Sequence, residues 1–337
     1  MMYFNSKNIL VSGGAGFIGS TLVRELLKEE ANIVILDNFS SGDWVNLDEV
    51  KDKIKVINGD IRDKDLRKIL KDNSIEYVFN LAAFPFIPES YDKPEEFFDV
   101  DARGVLNMML ASKEAGVKRI VQYSTSEVYG TAKYVPMDEN HPTFPCSTYA
   151  VSKLAADRLC FTLHHEHNIP VIILRQFNVY GPRISQPYVI AELLKQLSKS
   201  NKLKLGNITA SRDMTYVTDA AKGAIGLMKC DAAVGEVVNM GTGKDWTIKQ
   251  MAEIAGAIMG YKSVEIEVIN KRLRPLDVER LQADYTKMNK LTGWKPTVSF
   301  EEGLKKTIDW FKENGSQWIW EKKFVDEDHM WKWKSSN

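Results

Sequence analysis

The sequence predicts a doubly wound α/β fold, with a parallel sheet and a smaller C-terminal lobe, on three observations. Short apolar runs rich in Val and Ile recur through the first half, amphipathic stretches alternate with them, and a glycine cluster closes the first run where a helix should begin. Strand and helix alternating through connections this short imply right-handed βαβ units.

The apolar runs lie at 9–11, 33–36, 55–57, 77–81, 120–123 and 171–174. They do not alternate with polar residues, which suits strands covered on both faces. Between the first two, the stretch 21–27 places Leu22, Val23, Leu26 and Leu27 on one helical face. After about residue 174 the rhythm loosens. Helical stretches at 189–197, 219–228, 248–259 and 300–313 are separated by loops carrying Arg and Pro: Gly181-Pro182-Arg183, Arg212-Asp213 and 272–275. The expected division is a first lobe over 1–175, to which 214–245 returns, and a second lobe over 176–213 and 246–315. An arm over 316–337 carries Trp318, Trp320, Trp331 and Trp333 among charges. Its tryptophans are expected to pack on the chain's own lobe or on a neighbouring subunit, with a lid over the site as the other reading.

Composition narrows the function classes. The 337 residues are 44% hydrophobic and 27% charged, enough apolar material for a sizeable core in a water-compatible chain. Lys+Arg and Asp+Glu both number 45, which argues against a general nucleic-acid or membrane-surface binder. The three cysteines, Cys146, Cys160 and Cys230, are odd in number and widely spaced, so a disulfide framework or zinc knuckle is not expected and a reducing cytoplasm is. No apolar run approaches the ~18 residues of a membrane span, and no basic stretch followed by an apolar one marks the N-terminus for export.

Gly13-Gly14-Ala15-Gly16-Phe17-Ile18-Gly19 follows the first expected strand and opens the first expected helix. A tight strand-to-helix turn needs unusual φ, and a Cβ would hold a pyrophosphate off the backbone. The helix start then offers free N–H groups and partial positive charge. Asp37 ends the second strand, 18 residues beyond Gly19. A carboxylate there accepts both ribose hydroxyls and repels a 2′-phosphate, so NAD is expected rather than NADP, and the 1–175 lobe is read as a Rossmann-type NAD-binding domain. Asn58-Gly59-Asp60-Ile61 and Leu81-Ala82-Ala83 close the third and fourth strands, where carboxyl ends face a ligand crevice. Asp60 is expected to bond the adenine or to cap a helix.

Tyr149-Ala150-Val151-Ser152-Lys153 puts a phenol and an ammonium four apart, on one face of a helix. A lysine beside a tyrosine favours the phenolate and makes it a base for an alcohol proton. Ser124-Thr125-Ser126-Glu127-Val128-Tyr129-Gly130 ends the fifth strand with hydroxyls for a substrate oxygen. Glu127, two beyond Thr125 in an extended segment, is expected on the same side. His164, His165 and His167 read as a solvated helix end, since no Cys or Asp cluster accompanies them. Cys146 either lines the pocket or fills a small apolar space, and Met108-Met109-Leu110 reads as core or subunit surface.

Together these pieces resemble the nucleotide-sugar epimerase/dehydratase branch of the extended short-chain dehydrogenase/reductase family, from about residue 7 to 314. The resemblance implies that Tyr149 is the base at the sugar 4-hydroxyl, that Lys153 holds the nicotinamide ribose, and that Thr125 orients O4. It implies cofactor contacts at Gly13, Gly16, Phe17, Ile18, Asp37, Asn38, Asp60, Ile61, Leu81, Ala82, Ala83, Tyr149 and Lys153. For the substrate it implies Thr125 and Ser126 at the sugar, Asn178 near the diphosphate, Leu205 beside the nucleobase, and Arg212 and Arg274 as a diphosphate clamp. It also implies a homodimer through helices near 95–115 and 147–163. The chain departs from the pattern at Val100-Asp101, where many members place Asn near the start of the fourth helix.

The common first step is removal of the O4 proton with hydride transfer from C4 to NAD. A 4,6-dehydratase then needs a carboxylate at C5, a role open to Glu127. Thr125-Ser126-Glu127 resembles both GDP-mannose dehydratases and bacterial UDP-N-acetylglucosamine 4,6-dehydratases, and the run from 131 to 142 and the segment 272–280 resemble the latter more. A 4-epimerase acting on UDP-glucose or UDP-N-acetylglucosamine needs no second base, and a UDP-glucuronate decarboxylase shares the Ser-Thr-Ser-Glu-Val-Tyr-Gly run. A lyase on a UDP-sugar is the expectation, with an isomerase as the alternative. A non-catalytic NAD-binding regulator is disfavoured by the presence of Tyr149, Lys153 and Thr125 together.

Overall fold

The computed structural model describes residues 2–184 and 186–315; the tryptophan-bearing arm expected over 316–337 lies outside the described residues. The first half alternates as expected: β1 (Asn8–Ser12), α1 (Phe17–Leu27), β2 (Asn32–Asp37), β3 (Ile54–Asn58), α2 (Leu66–Asp72), β4 (Tyr77–Asn80), the short α3 (Glu89–Asp92) and α4 (Pro94–Phe98), α5 (Val105–Ala115), β5 (Arg119–Thr125), α6 (Thr148–His167) and β6 (Val171–Gln176). The second half contains β7 (Asn178–Tyr180), α7 (Val189–Leu197), β8 (Lys202–Leu205), β9 (Ser211–Tyr216), α8 (Val217–Lys229), β10 (Val237–Met240) and β11 (Asp245–Thr247). It continues with α9 (Ile248–Ile258), β12 (Glu265–Val268), β13 (Arg280–Leu281), α10 (Thr286–Thr292) and α11 (Phe300–Asn314).

Seven parallel strands form one sheet in the order β10-β6-β5-β4-β1-β2-β3. Ile9 sits opposite Ile33 on one side and Tyr77 on the other. Side chains alternate between two apolar layers, as the pleat requires. Ile9, Val11, Ile33 and Ile35 pack with Leu22 and Leu26 of α1 and with α8. Leu10 and Val34 pack with Leu70 of α2, Met108 of α5 and Cys160 of α6. Each such Leu or Ile contributes about 1.5–3 kcal/mol on burial. This explains the uninterrupted apolar runs. The strand order reverses at β1 and β4, so crossovers leave to opposite faces and a crevice opens at the carboxyl ends.

The chain returns to this sheet after the second lobe has begun. β10 pairs with β6, placing Val237 opposite Ile173, and α8 packs on α1. α10 also packs on α8 and β10, inserting Met288 into the first-lobe core. The second lobe holds a four-stranded sheet, in which β9 pairs with β7, β11 and β13, and a β8–β12 pair. Leu193, Leu197, Met251, Leu304 and Ile308 of α7, α9 and α11 supply its core. Among the described residues no helix is long and apolar enough to cross a membrane.

Candidate active site

One cleft runs along the carboxyl ends of the parallel strands and under the second lobe. Every residue expected to meet cofactor or substrate lines it, except Ser126. Ser126 is buried in the short helical turn Ser126–Tyr129 and is not part of the cleft lining.

The glycine turn is built from backbone. Gly13 has φ +70° and donates to Leu36 O at 2.9 Å, holding β1 to the end of β2. A Cβ on Gly19 would stand 2.2 Å from Gly13 O, so a side chain there forces helix and turn apart. Gly16 caps α1 with no side-chain bond, leaving amides of the first turn to an anionic ligand. Asp37 is 7% exposed; its Oδ2 accepts from Ala15 N and its Oδ1 from Phe39 N, both at 2.8 Å. The carboxylate thus steadies the turn and also lines the cleft. This cradle fits a dinucleotide.

Asp60 caps no helix, because α2 starts later, after Asp65. Its oxygens accept from Arg62 N, Nε and Nη2 at 2.8–2.9 Å and from Asn38 Nδ2 at 2.8 Å. Burial opposes ionisation, but Arg62 and Asn38 hold the carboxyl below its ordinary range. Asp60 thus fixes the loop carrying Asn38 at the cleft edge.

Helix α6 positions the phenol and ammonium. Ser147 caps its start by accepting from Ala150 N at 3.1 Å. Tyr149, Lys153 and Asp157, four apart, form one buried stripe. Asp157 takes both arms of Arg175 at 2.8 and 3.0 Å and accepts from Ser124 Oγ at 3.0 Å, locking the helix against β5 and β6. Lys153 Nζ donates to Tyr123 O at 2.7 Å, and both Tyr149 and Lys153 line the cleft.

The expected lowering of the phenol is not what the protein alone produces. Burial first, then the Asp101 carboxylate and Tyr188, push Tyr149 well above its ordinary value, while the Thr125 hydroxyl draws it back. Burial likewise pulls Lys153 down, against the pull of Asp101.

Glu127 reaches the cleft by a different route from the extended one expected. Thr125 ends β5 and its Oγ1 accepts from Glu127 N at 3.2 Å, starting a helical turn that brings the carboxylate over the cleft. Glu127 Oε1 is 4.0 Å from Arg212 Nε, and Arg212 Nη2 is 3.9 Å from Asp277 Oδ1. Arg212 is itself buried, which lowers its proton affinity; Arg274 adds to that, and Glu127 and Asp277 oppose it. Asn178, Leu205 and Arg274 complete this part of the lining, and the buried oxygens Asn178 Oδ1 and Gln176 Oε1 have no partner among the described residues. The site beside Glu127 is therefore polar, with the arginines Arg212 and Arg274 available to a phosphate ester.

Several lining residues were missed by sequence reasoning: Phe84, Phe86, Tyr188 and Asp277. Phe84 and Phe86 carried a signal, since they continue directly from Ala83 at a strand end; Tyr188 and Asp277 sit on loops without one. Cys146 is half-buried on the apolar cluster that contains Val128 and Phe177, outside the cleft lining. His164 and His165 bond the carbonyls of Ile169 and Phe161, and the described residues hold no cluster able to bind a metal.

Comparisons with known proteins agree with this geometry. The family model for GDP-mannose 4,6 dehydratase matches residues 10–307. The UDP-glucuronate 4-epimerase of Thermodesulfobacterium geofontis is 34% identical, over 90% of this chain and 96% of that protein. The human dTDP-D-glucose 4,6-dehydratase is 32% identical, over 93% and 92%. Among solved structures, the dTDP-glucose 4,6-dehydratase DesIV of Streptomyces venezuelae, crystallised with NAD, matches with TM-score 0.86 and 29% identity, covering 92% of this chain and 98% of that one. With a seven-stranded sheet of this order, a glycine cradle fitted to a dinucleotide and a Tyr149–Lys153 pair in one cleft, the chain belongs to the extended short-chain dehydrogenase/reductase family of NAD-dependent nucleotide-sugar epimerases and dehydratases.

Proposed function

We propose that this protein is an NAD-dependent 4,6-dehydratase of a nucleotide sugar, with a UDP-sugar as substrate. The observation that carries the reading is Glu127: a carboxylate held one turn from Thr125, lining the same cleft as Tyr149. A 4-epimerase has no task for a second base there.

When bound, NAD supplies the hydride acceptor for C4, the hydride donor for C6 and a positive charge beside the phenol. Tyr149 takes the O4 proton, with Thr125 holding that oxygen. The 4-ketone acidifies the C5 hydrogen, and Glu127 removes it. Ser126 offers no acid where some dehydratases have one, so Glu127 passes its proton to the C6 oxygen and water leaves. Arg212 and Arg274 clamp the diphosphate while the keto-sugar persists. Asn178 and Leu205 line the remainder of the substrate path. Exposed Phe98, Leu110 and Val151 on the neighbouring helices α4, α5 and α6 support a homodimer through that surface. The three free thiols suit a reducing cytoplasm.

One observation favours a second reading. Glu127 sits 4.0 Å from Arg212 and could serve as that arginine's partner, leaving a 4-epimerase. Turnover in D2O separates the two. Dehydration carries solvent deuterium into C5, because that proton is removed and replaced. Epimerisation leaves C5 unlabelled, and an unlabelled product retires the dehydratase reading.

A further inference from the structure

We propose that Asp101 is a positioning residue, a buried carboxylate that offsets the charge of Lys153 from behind α6 and so weakens the lysine's pull on the Tyr149 proton. The proposal rests on the reading of Tyr149 as the base, and not on which reaction follows.

The placement comes from the backbone. Between α4 and α5 the chain makes a π-helical turn, Asp99–Gly104, that packs against α6. Such wide turns are uncommon and frequently sit at functional sites. Asp101 lies within it, wholly buried. One carboxylate oxygen accepts from Phe84 N at 2.9 Å, and the other accepts a long bond from Ser152 Oγ at 3.4 Å. Ser152 immediately precedes Lys153, which is also buried and donates to Tyr123 O.

An amide side chain also carries an oxygen that can accept from the Phe84 N–H. A charge strengthens that bond, but burying it is costly. The charge also acts on the ammonium of Lys153 and the phenol of Tyr149, both on α6, and on Tyr188 from the loop before α7. Burial pushes Asp101 up to about 7, with Lys153 opposing it. Above that pH the carboxylate and ammonium form a pair of no net charge, and Tyr149 feels little positive field from the protein. Below it, Asp101 is neutral and no longer offsets Lys153, leaving Asp157 of α6 acting on the ammonium and Glu127 on the phenol.

The test reads Tyr149 directly. The phenolate absorbance of the NAD-loaded protein is titrated, and the same titration of a Tyr149→Phe variant is subtracted. In Asp101→Asn the Tyr149 midpoint falls by about one pH unit, and the acid limb of kcat/KM moves the same way. Equal midpoints in the two proteins overturn the proposal. Should the Asn variant fail to fold, Asp101→Ser removes the charge with a smaller polar side chain, and the same two outcomes apply. If no Tyr149 phenolate forms in either protein, the assignment of the base itself fails and takes this proposal with it. A product that proves to be an epimer leaves the proposal standing.

Discussion

The two halves of the cleft are built on different principles. The cofactor half is backbone: one contiguous strand–turn–helix whose amides and missing Cβ atoms shape the cradle, trimmed by Asp37 and Asp60. The half proposed to take the sugar is side chains. It joins Thr125 and Glu127 from the end of β5, Tyr149 and Lys153 from α6, Arg212 from β9, and Arg274 and Asp277 from the loop before β13. Backbone cradles tolerate little change and bind a constant ligand. A cavity pieced from charged side chains can change its reaction by one residue, which is why relatives of nearly equal identity include both 4-epimerases and 4,6-dehydratases.

That contrast can be broken from either side. The largest effect is expected from Tyr149→Phe, which removes the base of the first oxidation. kcat falls about 10³-fold or more on any substrate while NAD still binds; measurable turnover near the parent's rate sinks the catalytic assignment. Next is Glu127→Gln. Dehydration slows about 10²- to 10³-fold, yet reduced cofactor still accumulates transiently on mixing with substrate. A parent-like dehydration rate shows instead that Glu127 only partners Arg212.

Gly19→Ala attacks the other half. With its Cβ 2.2 Å from Gly13 O, the turn must shift and NAD affinity drops about 10²-fold by calorimetry. Unchanged affinity contradicts the backbone account of the cradle. Arg212→Lys keeps the charge but loses the planar fork. KM rises about tenfold with a smaller change in kcat, read from steady-state kinetics.

The smallest effect concerns pH and stability. Burial raises Asp101 to about 7 and Asp213 to about 6 from an ordinary 3.8. Between about pH 4 and 7 the folded chain therefore holds protons that the unfolded chain releases, and these groups lower stability as pH rises through that window. Asp101→Asn should gain about 2–4 °C in Tm relative to the parent near pH 8, and less near pH 5. A gain independent of pH points to packing rather than charge.

The same division explains what the sequence made legible. Strands β1, β2, β4, β5 and β6 announced themselves because both faces are buried, and the glycine turn because a dinucleotide needs that backbone within one short window. Helix α10 returns to the first lobe from the stretch assigned to the second, and a return of that kind leaves no periodic mark on the chain. The same holds for Tyr188 and Asp277, whose meeting with the cleft depends on how the second lobe folds over. Glu127 was found as a residue, but its path was misread. An extended pair and a Thr125-capped turn look alike in one dimension, and only the hydrogen bond at 3.2 Å tells them apart. The pull on Tyr149 was misjudged for a related reason. Lys153 is visible four residues away, whereas the burial of the phenol, and the Asp101 carboxylate brought against α6 by the turn between α4 and α5, are not.

The most direct measurement of the central claim is mass spectrometry of products after incubation with UDP-N-acetylglucosamine, UDP-glucose, UDP-glucuronate, dTDP-glucose and GDP-mannose, without added reductant. Loss of one water from a UDP-sugar is the predicted result, and it gives Glu127 its role at C5. A product of unchanged mass in a new chromatographic peak contradicts the account and makes the protein a 4-epimerase.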